Sequence, residues 1–157
     1  MNVMHPPFVH FVIALPLVAL FSQFTYMVTK DIAYSKGATR TIAFALLVSL
    51  FAVLTGLNDA DKIQEGHTIL NEGVNALTTH KIFGFFVVAL LLGATLTKWV
   101  SLSKNSSRLE YLSIVLMIIV FMASLYQGRS GGSLVYQYSG GIADKVITQR
   151  VNEQKKN

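Results

Sequence analysis

The chain has 157 residues, of which 52% are hydrophobic and 13% charged, whereas soluble domains carry about 25% charged residues. The formal net charge is +5, but the basic residues lie in loops and in the tail rather than on one face with interleaved aromatic residues. Nucleic acid is therefore not an expected partner, and anionic lipid headgroups are favoured. The chain has no cysteine, which excludes disulfides, thiolate metal ligands and covalently attached c-type haem.

Four uncharged apolar runs follow one another along the chain, at residues 8–29, 41–57, 82–97 and 111–127. The first run exceeds the roughly 20 residues that a membrane-spanning helix needs, and the other three approach that length. Pro6 and Pro7 suit the start of the first helix, and Pro16 is expected to kink it. Lys98 and Trp99 are expected at an interface, where the lysine reaches the headgroups and the tryptophan anchors the third helix. The predicted fold class is all-α, an integral membrane four-helix bundle running up, down, up and down.

The segments between and after these runs are polar or rich in glycine. Residues 58–78 are predicted to form a short interfacial helix. The glycine-rich residues 128–141 are predicted to be an irregular segment that folds back on the helix ends. We expect one transmembrane domain, residues 1–148, followed by a polar, disordered tail, residues 149–157.

Charge predicts how the bundle is oriented. The short loops at residues 30–40 and 101–110 carry an excess of Lys and Arg, whereas residues 58–79 on the opposite side are mainly acidic. The positive-inside rule therefore predicts that the two short loops are cytoplasmic and that both termini are periplasmic.

All four histidines fall on one predicted side of the membrane. His5 and His10 begin the first helix, His67 lies in the polar loop, and His80 opens the third helix. Because a helix rises about 1.5 Å per residue, we expect His10 and His80 at a similar depth, a few ångströms below the interface. Imidazole is the commonest metal ligand and an axial ligand of haem iron.

This placement predicts a b-type haem held by His10 and His80, which would pass electrons between a quinol and a periplasmic redox protein. Gly84 follows His80 by four residues on the same helical face and would leave space for the flat macrocycle. Lys81 or Arg129, at the same membrane face, would pair with the haem propionates.

Two other classes of function remain open. The first is a metal-ion site formed by His5, His10, His67 and His80, with Asp59 orienting a metal-bound imidazole without itself binding the metal. Met1 and Met4 beside His5 would suit Cu(I). The second is a non-catalytic subunit that anchors or assembles a larger membrane complex or homo-oligomer, with the histidines only in a hydrogen-bond network. The sequence offers no nucleophile–base arrangement, phosphate loop or two-histidine helical zinc motif, so it indicates no hydrolase or transferase chemistry.

Three stretches carry a family pattern. Residues 5–15 read HPPFVHFVIAL, residues 56–59 read GLND at the end of the second helix, and residues 131–136 read GGSLVY, followed by Gly141 and Ile142. The first and last resemble the opening HPxxVHFPIAL and the closing GGxLVYxxGxGV of a bacterial membrane family called domain of unknown function 2231. Val12 stands where that family usually has proline.

The resemblance covers about residues 4–142. It implies a four-helix protein of the bacterial inner membrane and supplies no established activity. It also implies that five residues belong to one face of the molecule: His5, His10, Asp59, His80 and Tyr136.

Overall fold

The computed structural model describes residues 4–155, and within them the chain forms five α-helices and no strand. The helices are α1 (His5–Thr29), α2 (Ile32–Glu65), α3 (Asn71–Lys104), α4 (Ser107–Tyr136) and α5 (Asp144–Gln154). The first four are long and apolar enough to cross a membrane, which confirms the predicted four-helix membrane bundle. Each packs on its neighbours in the cyclic order α1, α2, α3, α4, so α1 lies diagonally opposite α3.

Two tight turns make the bundle antiparallel. Lys30 and Asn105 end α1 and α3 with left-handed φ values of 59° and 48°. Each is followed directly by the residue that caps the next helix, and the Asp31 carboxylate accepts the Ala33 N–H at 2.9 Å. A side chain that satisfies a free N–H in the first turn favours a helix start at that point.

The interior faces of the helices follow an alternation of three and four residues, the spacing of left-handed helix packing. In α3 the buried positions include Gly73, Leu77, His80, Val87, Leu91, Ala94, Lys98 and Ser101. Many interior residues are small or polar, while large apolar side chains such as Phe21 and Leu54 are exposed on the outside. This distribution is expected where lipid rather than water surrounds the bundle.

Helices α2 and α3 extend past their apolar runs on the histidine side. Each has 34 residues and is therefore about 50 Å long, against a hydrocarbon core of about 30 Å. The predicted interfacial helix over 58–78 is wrong, because residues 58–65 continue α2 and residues 71–78 begin α3. His80 consequently lies inside α3 instead of opening it. Ala60, Leu77 and Leu134 form a second small core that stabilises these extensions.

The C-terminal region also differs from the prediction. Helix α4 continues through the glycines to Tyr136, because Leu134 is buried in the second core, so the irregular segment begins only at residue 137. Residues 137–143 do fold back: the Tyr138 carbonyl accepts the Leu70 N–H at 3.0 Å. Helix α5 spans the end of the predicted domain, residues 144–148, and residues 149–154 of the predicted tail; its side chains are all exposed.

The end of the bundle opposite the histidines holds a buried ion pair. Lys98 is fully buried, and its Nζ contacts Glu110 Oε2 and donates to Ser35 Oγ at 2.6 Å. Gln23 Nε2 donates to the same carboxylate at 2.5 Å. The prediction that Lys98 reaches the headgroups is therefore wrong, because its position in the three–four alternation directs it toward Glu110 in the interior.

Candidate functional site

The start of α1 is fastened to the end of α2 by Asp59. Its Oδ2 accepts the backbone N–H groups of Met4 and His5, both at 2.8 Å, and so satisfies donors that a helix start leaves free. Its Oδ1 lies 3.6 Å from the Lys62 Nζ. In this structure Asp59 thus positions the backbone of His5, whereas the sequence predicts that it orients an imidazole.

The His5 ring is held by the backbone of α2. Its Nδ1 lies 2.7 Å from the Ala52 carbonyl oxygen, and since a carbonyl can only accept, Nδ1 carries the hydrogen. In the neutral ring the lone pair is therefore on Nε2. Gly56 makes room for this ring, because a Cβ at that position would lie 2.9 Å from His5 Nδ1.

The His80 ring is held by α4. Gln127 Nε2 donates to the His80 backbone carbonyl at 3.0 Å, which fixes the orientation of the amide, and the same nitrogen lies 3.3 Å from His80 Nε2. His80 Nε2 must therefore accept, so the hydrogen is on Nδ1, which lies 3.2 Å from Ser130 Oγ. A Cβ at Gly131 would lie 3.2 Å from His80 Cε1, so this glycine allows the close approach.

These two imidazoles meet across the bundle. The His5 and His80 ring centroids are 6.1 Å apart and the ring planes are nearly perpendicular, at 89°. Both rings line a cavity of about 570 Å³, within the range of about 300–1,000 Å³ typical of ligand pockets. Its wall is mostly apolar and includes Gly56, Gly84, Gly128, Gly131 and Gly132.

The structure does not bring His10 to this pair. His10 lines the cavity but is exposed, and its Nδ1 lies 2.7 Å from the Pro6 carbonyl oxygen. Five residues of helix place it about 140° around the axis from His5, so the two rings cannot both point inward. His67 is also exposed, in the turn after α2, with a φ of 49°, and it does not line the cavity.

Of the other predicted site residues, some line the cavity and one does not. Lys81 lines the cavity and Tyr136 lies at its rim, 89% exposed, whereas Arg129 is exposed and does not line it. Gly84 does line it, but a Cβ there would lie 3.2 Å from Gln127 Nε2, so this glycine also accommodates the amide.

Nothing in residues 4–155 gathers three or more His, Cys, Asp or Glu side chains that could hold a metal ion. The copper alternative involves Met1, which lies outside the described residues.

Gln127 and Ser130, which hold His80, are absent from the predicted ligand set. Gln127 follows the interior residues Met117, Val120 and Ser124 with the same alternation of three and four residues. That spacing is a sequence signal that would have identified Gln127, but it places Ser130 beside the interior face and not on it.

Comparison with known proteins identifies the family but no activity, substrate or partner. A family model described as "Predicted membrane protein (DUF2231)" matches residues 2–144, which confirms the resemblance found in the sequence motifs. Comparison with curated proteins and with solved structures finds no match for this chain.

Proposed function

Since the chain belongs to the DUF2231 family of membrane proteins, whose description assigns no activity, we propose its function from the histidine cavity: it binds b-type haem between His5 and His80 and transfers electrons in the membrane. The observation that carries this proposal is the pair of imidazoles from diagonally opposite helices, 6.1 Å apart between centroids, at a cavity of about 570 Å³. The proposed ligands are thus His5 and His80, in place of His10 and His80.

The spacing of the rings supports a shared metal centre. An ion bonded to one nitrogen of each of two facing imidazoles, at roughly 2 Å per bond, separates the ring centroids by about 6 Å. Both rings direct Nδ1 to a protein oxygen, Ala52 O for His5 and Ser130 Oγ for His80. A metal-bound histidine usually donates its other N–H in this way, which fixes the tautomer and the ring orientation.

The small number of ligands favours haem over a bare ion. Structural zinc takes four protein ligands and catalytic zinc three, and no such group occurs in the described part of the chain. A haem iron already has four porphyrin nitrogens, so two imidazoles complete its coordination. The mostly apolar, glycine-rich wall suits a flat macrocycle, and the cavity is much larger than one ion requires.

Each neighbouring residue would have a definite task. Ala52 and Ser130 orient the rings, and Lys81, which lines the cavity, is better placed than Arg129 to pair with a propionate. Gln127 would keep its bond to the His80 carbonyl but give up its contact with His80 Nε2. A bound haem would supply one-electron chemistry, with a quinol and a periplasmic redox protein as the proposed partners.

The test is an absorption spectrum of the detergent-solubilised protein after haem-supplemented expression. We expect a Soret band that is lost in His5→Ala and in His80→Ala and retained in His10→Ala, the matched control on the same helix. A protein without the band, or a band unchanged in both ligand variants, would exclude the proposal. A colourless protein that co-purifies with a partner would instead favour the anchoring role.

We also propose that the histidine end faces the periplasm of the bacterial inner membrane. The opposite end has the short turns flanked by Lys30, Lys36, Arg40, Lys104 and Arg108. Because the chain has no cysteine, Glu72→Cys and Lys104→Cys each introduce a single label at opposite ends. A membrane-impermeant maleimide should label only Glu72→Cys in intact spheroplasts; labelling of Lys104→Cys alone would reverse the orientation.

A further inference from the structure

A second, smaller cavity lies on the inner side of the histidine pair. Its volume is about 40 Å³, and it shares His5, Gly84 and Gln127 with the wall of the larger cavity. It continues further into the bundle, where the hydroxyl-bearing residues Ser49 of α2 and Ser124 of α4 line it. Polar residues thus extend from the imidazoles toward the middle of the membrane.

Two polar atoms at this small cavity are buried and unpaired. Ser124 Oγ and Gln127 Oε1 have no hydrogen-bond partner among residues 4–155, and Ser124 is only 1% exposed. Ser49 differs, because its Oγ donates to the Leu46 carbonyl at 2.7 Å. A buried polar group without a partner is unfavourable, and it is normally satisfied by ordered water when protein groups do not reach it.

The small cavity has the size and the polar groups that a water molecule requires. A site needs about 10–15 Å³ for one water and two to four polar partners. We propose that this cavity binds ordered water, which donates to Gln127 Oε1 and forms a second hydrogen bond with Ser124 Oγ. The site is made only of protein groups, so it does not depend on the haem proposal.

This water would act on His80 through Gln127. The Gln127 amide nitrogen is committed to the His80 carbonyl and to His80 Nε2, so its oxygen is the side that meets the water. Water on the oxygen holds the amide in the orientation that presents its N–H to the imidazole. Gln127 is therefore a positioning residue, and the water site completes its hydrogen bonding.

The hydration ends below this cavity. Ala45, Leu91, Met117 and Val120 are fully buried in the main apolar core, and they separate Ser49 and Ser124 from the ion pair at the other end. We therefore expect water to reach the pocket from the histidine face alone.

The experiment is proton-detected solid-state NMR of the full chain, without haem, in lipid bilayers. Water-edited spectra report which protons exchange magnetisation with nearby water. We expect early transfer from water to the Gln127 side-chain amide and to the Ser124 backbone amide, and none to Leu91. Absence of early transfer to Gln127 in the wild-type protein would overturn the proposal.

Two variants of α4 separate the water site from a general effect of losing a buried serine. Ser124→Val removes the hydroxyl and fills the small cavity, so transfer to the backbone amide of residue 124, which does not line the larger cavity, should fall to the level of Leu91. Ser113→Ala is the control, because Ser113 is equally buried but its Oγ already donates to the Glu110 carbonyl at 2.7 Å. It should leave the Ser124 amide signal unchanged; transfer to residue 124 that survives in Ser124→Val would also overturn the water site.

Discussion

The two ends of the bundle use the same interior helix positions for different purposes. At the histidine end, small residues such as Gly56 and Gly131 allow rings to approach backbone, and a cavity remains beside them. At the other end, Lys98 and Glu110 occupy equivalent interior positions with the Ser35 hydroxyl between them. One end has room for a ligand, and the other is filled by side chains that bind each other.

The two ends of the bundle also differ in how fully their buried polar groups are hydrogen-bonded. The Glu110 carboxylate accepts from three side chains, those of Gln23, Ser35 and Lys98, although Gln23 Oε1 has no partner in residues 4–155. Around the histidines, Gln127 Oε1 and Ser124 Oγ are both unpaired within that range. Buried polar groups that are paired make a structure rigid, whereas unpaired ones at a cavity indicate a ligand or water. We therefore assign stability mainly to the end that holds Lys98 and Glu110, and the proposed binding to the histidine end.

The largest effect should come from breaking the ion pair. Lys98→Met leaves the Glu110 carboxylate buried without its cation, and such a loss typically costs 3–5 kcal/mol, so we expect about that decrease in the free energy of unfolding. The measurement is an unfolding titration in mixed detergent micelles. A decrease below about 1 kcal/mol would mean that this end is hydrated rather than sealed.

The matched control for this variant removes both charges. Lys98→Met combined with Glu110→Gln keeps an acceptor for Gln23 but leaves no unpaired charge, so it should recover most of the lost stability, because neutral replacement of a buried ion pair is often tolerated. Both proteins should keep the His5–His80 site, which lies at the other end of α1 and α3.

The glycines at the histidine end provide the second test. Gly56→Ala places a Cβ 2.9 Å from His5 Nδ1, so the ring or α2 must shift. Overpacking of this kind costs about 1–3 kcal/mol, partly offset by the better helix propensity of alanine. Gly93→Ala is the control, because its Cβ meets nothing within 4 Å, and it should stabilise the protein slightly. Equal effects of the two substitutions would show that Gly56 is not in contact with His5.

How much of this the sequence can predict differs between the two ends. The four helices follow from the length of the apolar runs, and the common side of His5, His67 and His80 follows from antiparallel connection. The sequence pairs His10 with His80 by depth alone, whereas in the structure the ring that meets His80 is that of His5. The spacing of five residues already places the His5 and His10 rings on different faces of α1. The depth of His80 in the bundle depends on where α3 begins, which is at Asn71 and not near His80.

At the charged end, the end of the bundle that holds Lys98 and Glu110, residue spacing carries information that hydropathy does not. Lys98 and Glu110 stand at the margins of apolar runs, where an interfacial position is the ordinary interpretation, and Gln23 lies within the first run. Their spacing relative to other interior residues, such as Lys98 four residues after Ala94, assigns them to the bundle interior. The sequence could not show that Ser35 lies between the two charges, since that contact depends on how α2 packs against α3 and α4.

Removing the cap on α1 tests whether the histidine end depends on Asp59. Asp59→Ala frees the N–H groups of Met4 and His5, and loss of such a cap costs about 1 kcal/mol, within a range of about 0.5–2. We expect that loss in the unfolding titration, together with a mobile His5 ring seen as broadened imidazole signals by NMR. Asp61→Ala, which alters an exposed carboxylate nearby, is the control and should change neither quantity.

The smallest effect should come from Tyr26, which adds an aromatic face to the charged end. Its ring centroid lies 5.5 Å from Lys98 Nζ, a separation at which the ring quadrupole attracts a cation by about 0.5–1 kcal/mol. Tyr26→Leu should therefore lower the free energy of unfolding by about that amount, while Tyr26→Phe, which retains the ring, should leave it unchanged. In Lys98→Met the difference between Leu and Phe at position 26 should vanish, because the cation is gone. If the difference persisted there, the ring would be acting only through packing, and the charged end would depend on its hydrogen bonds alone.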